Sequence, residues 1–488
     1  MYTLTIQPEN RELKISKQQD LMQALQNAGL YLDAPCGGNG RCGKCKVIID
    51  GGEALACQTS IDRDMTVHIA ERAELSGLQS GISSTQKLNP EREGYLIAFD
   101  IGTTSVVCFL LDGKTGKELS AASMLNPQTA FGADVISRIQ SALRGELERE
   151  TYAIRDAMTS LIYDVCHKAC ISPSEISLVS VVGNPAMQQL FLGISPDNLT
   201  TIPFAPVLTE AKTIPCGDIL SICSDALLLI VPDISGYRGA DTIGCLLSTE
   251  LYKNDEITLL VDIGTNGEMV LGGRNRMIAC STAAGPALEG ANIQFGMRGT
   301  DGSIDHVWLE NRNVKCSVIG EGTAKGICGS GLIDAVAVGL EMGLLNKRGR
   351  IQNEDHILHL TDEIYLTQDD IRQVQLAKGA IYAGISLMTK QMGIEVRDIQ
   401  KVQLAGAFGS FLNPQSACRI GLLPEELLDR IEAVGNAAGS SAKMLACDKA
   451  LLPLTQELTD RIEFLELASL QEFPKTFAKS MSFREGVS

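Results

Sequence analysis

The sequence predicts a multi-domain α/β protein, in which a small β-rich domain precedes a larger, duplicated α/β fold. Three observations support this prediction. The chain of 488 residues is long enough for about three domains. Four cysteines crowd a glycine-rich stretch near the N-terminus, and one strand-turn-strand pattern occurs twice, at 95–112 and at 258–270.

Composition excludes several classes of protein. Hydrophobic residues make up 44% of the chain and charged residues 21%, which is typical of a globular protein. A net charge of −17 without a long basic cluster argues against nucleic acid as a partner. Apolar runs such as 226–231 are far shorter than the roughly 20 residues of a membrane span, and the N-terminus lacks the apolar core of a signal peptide. We therefore expect a cytoplasmic protein that binds neither nucleic acid nor membrane.

The first domain, residues 1–71, is predicted from hydrophobic periodicity. Its elements follow the order strand, turn, strand, helix, loop, strand and strand. The strands are predicted at 2–6, 12–15, 46–49 and 65–69, and the apolar face of the helix is formed by Leu21, Met22, Leu25 and Ala28.

The loop of this domain carries cysteines at a spacing typical of metal coordination. In a reducing compartment, clustered cysteines more often hold metal or carry redox chemistry than form disulfides. The four candidate ligands follow the pattern C-x5-C-x2-C-x11-C and are Cys36, Cys42, Cys45 and Cys57. Glycines between them allow backbone amides to turn toward the sulfurs of a [2Fe-2S] cluster. Zinc is the alternative, although zinc sites usually pair two C-x2-C knuckles and this chain has one.

The order of elements and the C-x5-C-x2-C start are similar to those of β-grasp [2Fe-2S] ferredoxins. That resemblance implies a fourth cysteine about 30 residues after the third, whereas only eleven residues separate Cys45 from Cys57. After this domain, residues 72–93 are rich in Ser, Gly, Gln and charge and are predicted to form a linker. The remainder is predicted to divide into two halves, 94–255 and 256–488.

Each half opens with an apolar strand that ends in an aspartate, a turn of small residues and a second strand. The aspartates are Asp100 in YLIAFDIGTTSVV and Asp262 in TLLVDIGTNGEMV. Such a repeat suggests a duplicated fold whose halves face each other across a cleft. The turns suit nucleotide phosphates, because glycines admit anions to backbone amides, hydroxyls donate, and each aspartate can hold hydrated magnesium or orient a water. The candidate phosphate contacts are Gly102, Thr103, Thr104, Gly264, Thr265, Asn266 and Gly267.

Three glycine-rich segments follow in the second half. GICGSGL, with Gly329 and Ser330, opens a predicted helix, where free amides and the helix dipole favour phosphate. KVQLAGAFGSFLN is a strand that breaks into a glycine turn, against whose bare backbone at Gly406 and Gly409 an adenine or ribose fits. GNAAGSS at 435–441 precedes another predicted helix and offers the same chemistry.

One pair of oppositely charged residues is predicted to have a structural role. Asp134 and Arg138 are four residues apart in a predicted helix, so they face each other on its surface. We predict an exposed ion pair there, and a catalytic role is the alternative.

The order of the phosphate and adenosine motifs resembles the sugar kinase, heat-shock protein and actin superfamily. Together with the cysteine domain, nearly the whole chain resembles one family within it, the ATP-dependent reductive activators of corrinoid proteins. Further blocks of resemblance lie at 126–139, 181–193, 233–244 and 283–299. The resemblance implies a β-grasp ferredoxin-like domain followed by two ribonuclease-H-like halves, an actin-like ATPase fold that encloses the nucleotide.

The same resemblance implies an activity. In that family the cobalt of a corrinoid methyltransferase system is occasionally oxidised to inactive Co(II), and the activator delivers one electron to restore Co(I), coupled to ATP. On this reading Asp100 and Asp262 organise magnesium and water, the turn residues and glycines contact ATP, and the four cysteines hold the electron. The implied partners are a corrinoid protein, an external electron donor and a second copy of the chain in a homodimer.

Two other functions stay open at this stage. A small-molecule kinase or other ATPase of the superfamily would use the cysteine domain for structure or sensing. A simple ferredoxin fused to a binding scaffold would have no affinity for nucleotide. Hydrolase chemistry has no support, because the sequence has no G-x-S-x-G elbow.

Overall fold

The structure is a computed structural model of the chain. It describes residues 1–484, apart from 9, 16–18, 33, 35–37, 39, 41–42, 70–89, 91, 202–203, 206, 221, 223–224 and 235–238. Two of the four candidate metal ligands, Cys36 and Cys42, lie outside the described residues, and so does most of the predicted linker 72–93.

The N-terminal domain is a five-stranded sheet with one helix packed against it. The strands have the order β2-β1-β5-β3-β4, and β1 and β5 are parallel at its centre. Its elements are β1 (Tyr2–Gln7), β2 (Arg11–Ile15), α1 (Leu21–Asn27), β3 (Lys46–Ile49), β4 (Gly52–Leu55) and β5 (Met65–His68). The helix buries Leu21, Met22 and Leu25 against the sheet, as the periodicity predicts, whereas Ala28 follows the end of the helix and is half-buried. Asp20 caps the helix by accepting a hydrogen bond from the Gln23 amide. The short strand β4 was not predicted from the sequence.

The first half of the large domain contains a six-stranded sheet. Its order is β10-β11-β9-β6-β7-β8, in which β6 to β8 form an antiparallel meander and β9 is parallel to β6. Its elements are β6 (Tyr95–Ile101), β7 (Ser105–Asp112), β8 (Glu118–Leu125), α2 (Val135–Ser141), α3 (Leu147–Ala169), β9 (Ile176–Gly183), α4 (Pro185–Leu192), β10 (Lys212–Pro215), β11 (Leu227–Ile230) and α5 (Ala240–Thr249).

The second half repeats this sheet, with the order β21-β20-β12-β13-β14-β22. Here β12 to β14 form the meander, and β20 is parallel to β12. Its elements are β12 (Thr258–Ile263), β13 (Gly267–Gly272), β14 (Met277–Thr282), β15 (Ser303–Glu310), β16 (Asn313–Val318), β17 (Gly326–Ile327), α6 (Gly329–Glu341), β18 (Ile357–His359), β19 (Tyr365–Thr367), α7 (Gln368–Met392), β20 (Lys401–Ala405), α8 (Gly406–Phe411), α9 (Pro414–Ile420), β21 (Ile431–Gly435), α10 (Ala437–Cys447), α11 (Leu451–Arg461), β22 (Ile462–Phe464) and α12 (Phe473–Ser480). The predicted duplication is therefore present as two sheets that share a five-strand order, β11-β9-β6-β7-β8 in the first half and β21-β20-β12-β13-β14 in the second.

The two sheets are joined by one apolar core around helices α5 and α10. This core contains Leu96 and Phe109 of the first sheet together with Leu260 and Val270 of the second. The helices approach closely at Gly244, where an added Cβ would lie 2.1 Å from the Ser441 hydroxyl oxygen. A glycine is thus needed at that crossing, and the crossing fixes the halves on either side of the cleft.

Candidate functional site

The repeated hairpins place one aspartate from each half at the cleft. Asp100 lies near the end of β6 and Asp262 near the end of β12. Burial, together with the charges of Asp241 and Asp100, raises the pKa of Asp262 to about 7. Burial also raises the pKa of Asp100 to about 6, opposed by a hydrogen bond from Asn436 and reinforced by the charge of Asp241. Carboxylates from both halves therefore share one electrostatic environment, as required for a shared metal ion and its water shell.

Asn436 connects the GNAAGSS segment to this site. Its Nδ2 donates a hydrogen bond of 3.0 Å to Asp100 Oδ2, and its Oδ1 accepts from the Gly439 amide at the start of α10. The side chain therefore caps α10 and orients Asp100 at once. The sequence predicted nucleotide-binding chemistry for this segment, and it gave no sign of the contact between Asn436 and Asp100.

The turn of each hairpin is closed by a backbone hydrogen bond. The Gly102 amide donates to the Ser105 carbonyl, and the Gly264 amide donates to the Asn266 carbonyl, both at 2.9 Å. Because these two amides already donate within the turns, the two glycines serve to form the hairpins. Gly267 follows in β13, where an added Cβ would approach Thr282 and Ile381.

The threonines of the turns are held by neighbouring side chains. The Thr103 hydroxyl accepts a hydrogen bond of 3.1 Å from Asn184 Nδ2. The hydroxyls of Thr104 and Thr265 both donate to the carboxylate of Glu289, the former to Oε2 and the latter to Oε1 at 3.1 Å. Glu289 therefore joins the two hairpins, and sequence reasoning missed it. The only signal was its position in the 283–299 block.

Arg138 corrects the prediction of a surface ion pair, which was wrong. Asp134 caps α2 by accepting from the Ser137 amide at 2.7 Å. Arg138 is 0% exposed and donates to the carbonyl oxygens of Gly132 and Thr103. Burial lowers its pKa to about 10. Arg138 thus acts as an internal brace: it stabilises the first phosphate turn from inside the protein, because its guanidinium donates to the backbone carbonyl of Thr103.

Gly329 and Ser330 begin α6, as predicted, and both are buried. An added Cβ at Gly329 would lie 1.8 Å from the Leu288 carbonyl oxygen and 2.7 Å from the Phe408 ring. The Ser330 hydroxyl donates to the Asp305 carbonyl at 2.8 Å. Both residues therefore contact neighbouring segments of the second half, Gly329 at Leu288 and Phe408 and Ser330 at Asp305. Their contact with nucleotide stays a prediction.

The predicted adenosine turn is a short helix, α8, and not an open loop. Gly406 has φ of +81°, and an added Cβ there would lie 2.6 Å from Asp262 Oδ1. Gly409 packs against Leu404 of β20. The bare backbone at Gly406 therefore lets the adenosine segment pass directly beside the aspartate of the second hairpin.

A pocket of about 630 Å³ adjoins this segment. It is lined among others by Ser410, Phe411, Asn413 and Asp429, and by His306 of β15. His306 is held by a buried carboxylate, because its Nδ1 lies 3.0 Å from Asp334 Oδ2. The volume of this pocket is within the range of about 300–1,000 Å³ that is typical of small-ligand sites. An aromatic ring and several polar groups line the pocket.

The described part of the cysteine loop fits the predicted cluster. Cys45 and Cys57 bring their Sγ atoms to 3.3 Å, and two thiolates at about 2.3 Å from one tetrahedral metal ion are about 3.8 Å apart. Positive φ angles at three loop glycines turn the backbone around this point, namely Gly38, Gly40 and Gly43. An added Cβ at Gly38 would lie 3.9 Å from Cys57 Cβ, so the backbone passes close to the thiols as a cluster loop requires.

The N-terminal domain contacts both halves of the large domain. Lys44, next to Cys45, donates from Nζ to the Gly296 carbonyl of the second half at 2.9 Å. Arg149 of the first half donates to the Gln26 side chain at 3.2 Å. The Tyr31 ring lies 6.2 Å from that of Phe131. The cysteine loop is thereby held against the nucleotide-binding part of the chain.

Three family models match the chain in succession. Residues 4–70 match the 2Fe-2S iron-sulfur cluster binding domain, and residues 95–254 match the RACo middle region. Residues 256–487 match the C-terminal domain of RACo, the ASKHA domain. The cofactors of these domains are a [2Fe-2S] cluster and ATP, as predicted.

Individual relatives cover most of the chain. It is 31% identical to the corrinoid activation enzyme RamQ of Eubacterium limosum, over 98% of each chain. It is 26% identical to the Methanosarcina barkeri reductase of a Co(II) methylated amine-specific corrinoid protein, over 80% of this chain and 77% of the relative. A solved structure of a reductive activator for a corrinoid, iron-sulfur protein matches 99% of this chain and 98% of its own, with 27% identity and a TM-score of 0.76.

Among the described residues, no helix combines the length and apolar character needed to span a bilayer.

The domain order and the similarity along the chain together identify the family. The three matched domains occur here in one chain, around a shared cleft and a cysteine loop, and one relative is 31% identical over 98% of each chain. The chain therefore belongs to the family of ATP-dependent reductive activators of corrinoid proteins.

Proposed function

We propose that this protein reactivates the corrinoid protein of a methyltransferase system. It transfers one electron from its [2Fe-2S] cluster to inactive Co(II), which becomes Co(I), in a step coupled to ATP. The observation that carries the proposal is the contact between the cysteine loop and the nucleotide domain in one chain, at Lys44 and Gly296. The full-length similarity to a corrinoid activation enzyme supports the same activity.

The cleft residues supply nucleotide binding. Asp100 and Asp262 are positioned to bind magnesium through its water shell, and the hydroxyls of Thr104 and Thr265 are positioned to donate to phosphate oxygens. The raised pKa values of the two aspartates mean that metal binding must displace protons near neutral pH. We infer that the pocket between His306 and Ser410 holds the nucleoside, because the Ser410 hydroxyl donates to the carbonyl of Gly406, which lies beside Asp262.

The cysteine domain supplies the electron. When bound, a [2Fe-2S] cluster accepts and donates single electrons at low potential. Cys45 and Cys57 hold it from within the described residues, and Cys36 and Cys42 complete the predicted ligand set. Held by these cysteines, the cluster would supply the single electron that Co(II) gains, and an external donor would replace that electron.

ATP drives this transfer only through conformations that it binds differently. The cleft lies between two halves, and the N-terminal domain contacts each of them through Arg149 and Gly296. A change in the relative position of the halves therefore changes the support of the cysteine loop. This arrangement gives nucleotide binding a mechanical route to the electron carrier.

The test uses anaerobically purified full-length protein with two irons and two sulfides per chain. With a reductant that charges the cluster, we expect ATP-dependent conversion of a corrinoid protein from Co(II) to Co(I), followed by its absorbance. Cys45→Ala should abolish the conversion, whereas the matched control Cys447→Ala, at another buried cysteine, should retain it. ATP consumption that depends on a small metabolite, without cobalt reduction, would support a kinase instead.

Several finer points stay predictions. They are the external electron donor, the homodimer, the cytoplasmic location and the domain bounds 1–71, 72–93, 94–255 and 256–488. Size-exclusion chromatography with light scattering tests the homodimer.

A further inference from the structure

The carboxylate of Glu289 is a direct link between the two phosphate hairpins. It ends a short turn, Pro286–Glu289, that follows β14. Its Oε2 accepts from the Thr104 hydroxyl of the first half, and its Oε1 accepts from the Thr265 hydroxyl of the second half at 3.1 Å. One anionic group thus holds, with separate oxygens, one donor from each side of the cleft.

A nucleotide phosphate needs the same two donors. Each threonine hydroxyl has a single proton to donate, so it cannot serve Glu289 and a phosphate oxygen together. The charges also conflict, because the Glu289 carboxylate already contributes to the raised pKa of Asp262. A phosphate and an ionised Glu289 therefore compete for one position.

The backbone beneath Glu289 is fixed, so the competition must be resolved by its side chain. The Gly285 amide donates to the Thr265 carbonyl at 2.9 Å. An added Cβ at Gly290 would lie 2.4 Å from the Met297 carbonyl oxygen, and one at Gly329 would lie 1.8 Å from the Leu288 carbonyl oxygen. The turn is packed on both sides, whereas the Glu289 side chain retains its own rotations.

We propose that Glu289 occupies the place of the terminal phosphate of a nucleoside triphosphate, and that nucleotide binding exchanges the carboxylate for that phosphate. In the nucleotide-free protein Glu289 cross-links the hairpins of the two halves. In the bound protein the phosphate accepts from the two threonine hydroxyls instead. The released Glu289 carboxylate then changes its contacts at the start of the 290–296 segment, which ends at Gly296, the residue that Lys44 contacts. This inference rests on the nucleotide-binding part of the proposed function and on no step of electron transfer.

Hydrogen exchange and nucleotide titration of the full chain test this exchange. The variants are Glu289→Ala and Glu289→Gln, with Glu310→Gln as a matched control at an exposed position of β15. In Glu289→Ala without nucleotide, peptides over 101–107 and 263–268 should exchange at least about tenfold faster than in the wild type. Saturation with a non-hydrolysable ATP analogue should remove that difference.

The affinities give a second readout. Without magnesium, Glu289→Ala should bind the analogue about tenfold more tightly than the wild type, because one like charge beside the phosphates is gone. Glu289→Gln should show a smaller gain, since it keeps one acceptor oxygen, and the control should match the wild type.

Three results would overturn the exchange. Faster hydrogen exchange that persists with bound analogue would show a purely structural residue. Weaker binding in Glu289→Ala would show that Glu289 supports the phosphate or its metal ion. An unchanged affinity of Glu289→Ala for the analogue would show that Glu289 and the phosphate do not compete. A wild type that binds the analogue but fails to reduce cobalt would contradict the proposed function alone, and one that binds no nucleotide would contradict both.

Discussion

At the scale of single residues, the cleft is dominated by acidic side chains that burial keeps partly protonated. The pKa of Asp262 lies near 7 because the residue is desolvated and faces Asp241 and Asp100. A free Asp titrates at 3.8. The folded protein therefore retains a proton on this group between these two values, while the unfolded chain loses it.

The sign of the pH dependence follows from this difference. Between pH 3.8 and about 7 the folded state binds more protons at Asp262 than the unfolded state, so the free energy of unfolding falls as pH rises. Asp262→Asn removes this dependence. We expect the melting temperature of the magnesium-free variant to exceed that of the wild type by a smaller margin at pH 5 than at pH 8, because the wild type loses stability as pH rises between these values. The variant should also lose ATP turnover.

Differential scanning calorimetry from pH 5 to 8 provides the measurement for Asp262→Asn. The exposed Asp460→Asn serves as the control and should show the wild-type pH profile. A difference in melting temperature that is the same at every pH would contradict the assigned protonation.

Arg138 gives a second prediction at this scale. Its buried guanidinium donates to the Gly132 and Thr103 carbonyls. Arg138→Met leaves these acceptors without that donor, and the free energy of unfolding should fall by about 2–4 kcal/mol. Affinity for ATP should fall as well, because the first phosphate turn loses its brace. Urea denaturation and nucleotide titration measure the two effects.

The control for Arg138 is Arg144→Met, at an exposed position of the next turn of chain. It should change neither quantity. Equal losses in both variants would mean that removal of positive charge, and not the internal brace, weakens the protein.

At the scale of elements, the crossing of α5 and α10 determines how the halves meet. Gly244→Ala places a Cβ 2.1 Å from the Ser441 hydroxyl oxygen, which forces the helices apart. We expect a loss of about 1–3 kcal/mol in the free energy of unfolding. Ser441→Ala in the same chain should recover part of that loss, because it removes the clashing oxygen.

Urea denaturation of both single variants and the double variant measures this coupling. Ser441→Ala alone is the control for the lost hydroxyl. Additive losses in the double variant would show that the two side chains do not determine the helix separation.

At the scale of the whole molecule, the position of the N-terminal domain depends on a few polar contacts. Lys44 donates to Gly296, and Arg149 to Gln26. We expect the double variant Lys44→Met, Arg149→Met to release the domain, so that the radius of gyration from X-ray scattering rises while basal ATP hydrolysis and iron content stay unchanged. ATP-dependent cobalt reduction should fall.

Lys46→Met is the matched control for that release. Lys46 lies two residues from Lys44 but pairs with Glu53 inside its own domain at 2.8 Å, so neither the radius nor cobalt reduction should change. An unchanged radius in the double variant would show that other contacts hold the domain.

The sequence by itself determined the elements whose evidence is local. The strands that end at Asp100 and Asp262, the cysteine loop and the start of α6 each follow from neighbouring residues, because periodicity and turn chemistry operate over a few positions. The repeat of one such pattern was enough to predict a duplicated fold. The structure and the family matches confirm that fold.

Only the tertiary structure decided which side chains meet in the cleft. Glu289 reaches Thr104 from the other half of the chain, and Asn436 reaches Asp100 across a still longer interval. Arg138 was wrongly predicted on the surface, because a helical spacing shows which residues share a face and not whether that face is buried. Such contacts depend on how the two sheets pack around α5 and α10, and packing acts through distances in space that no pattern of neighbouring residues encodes.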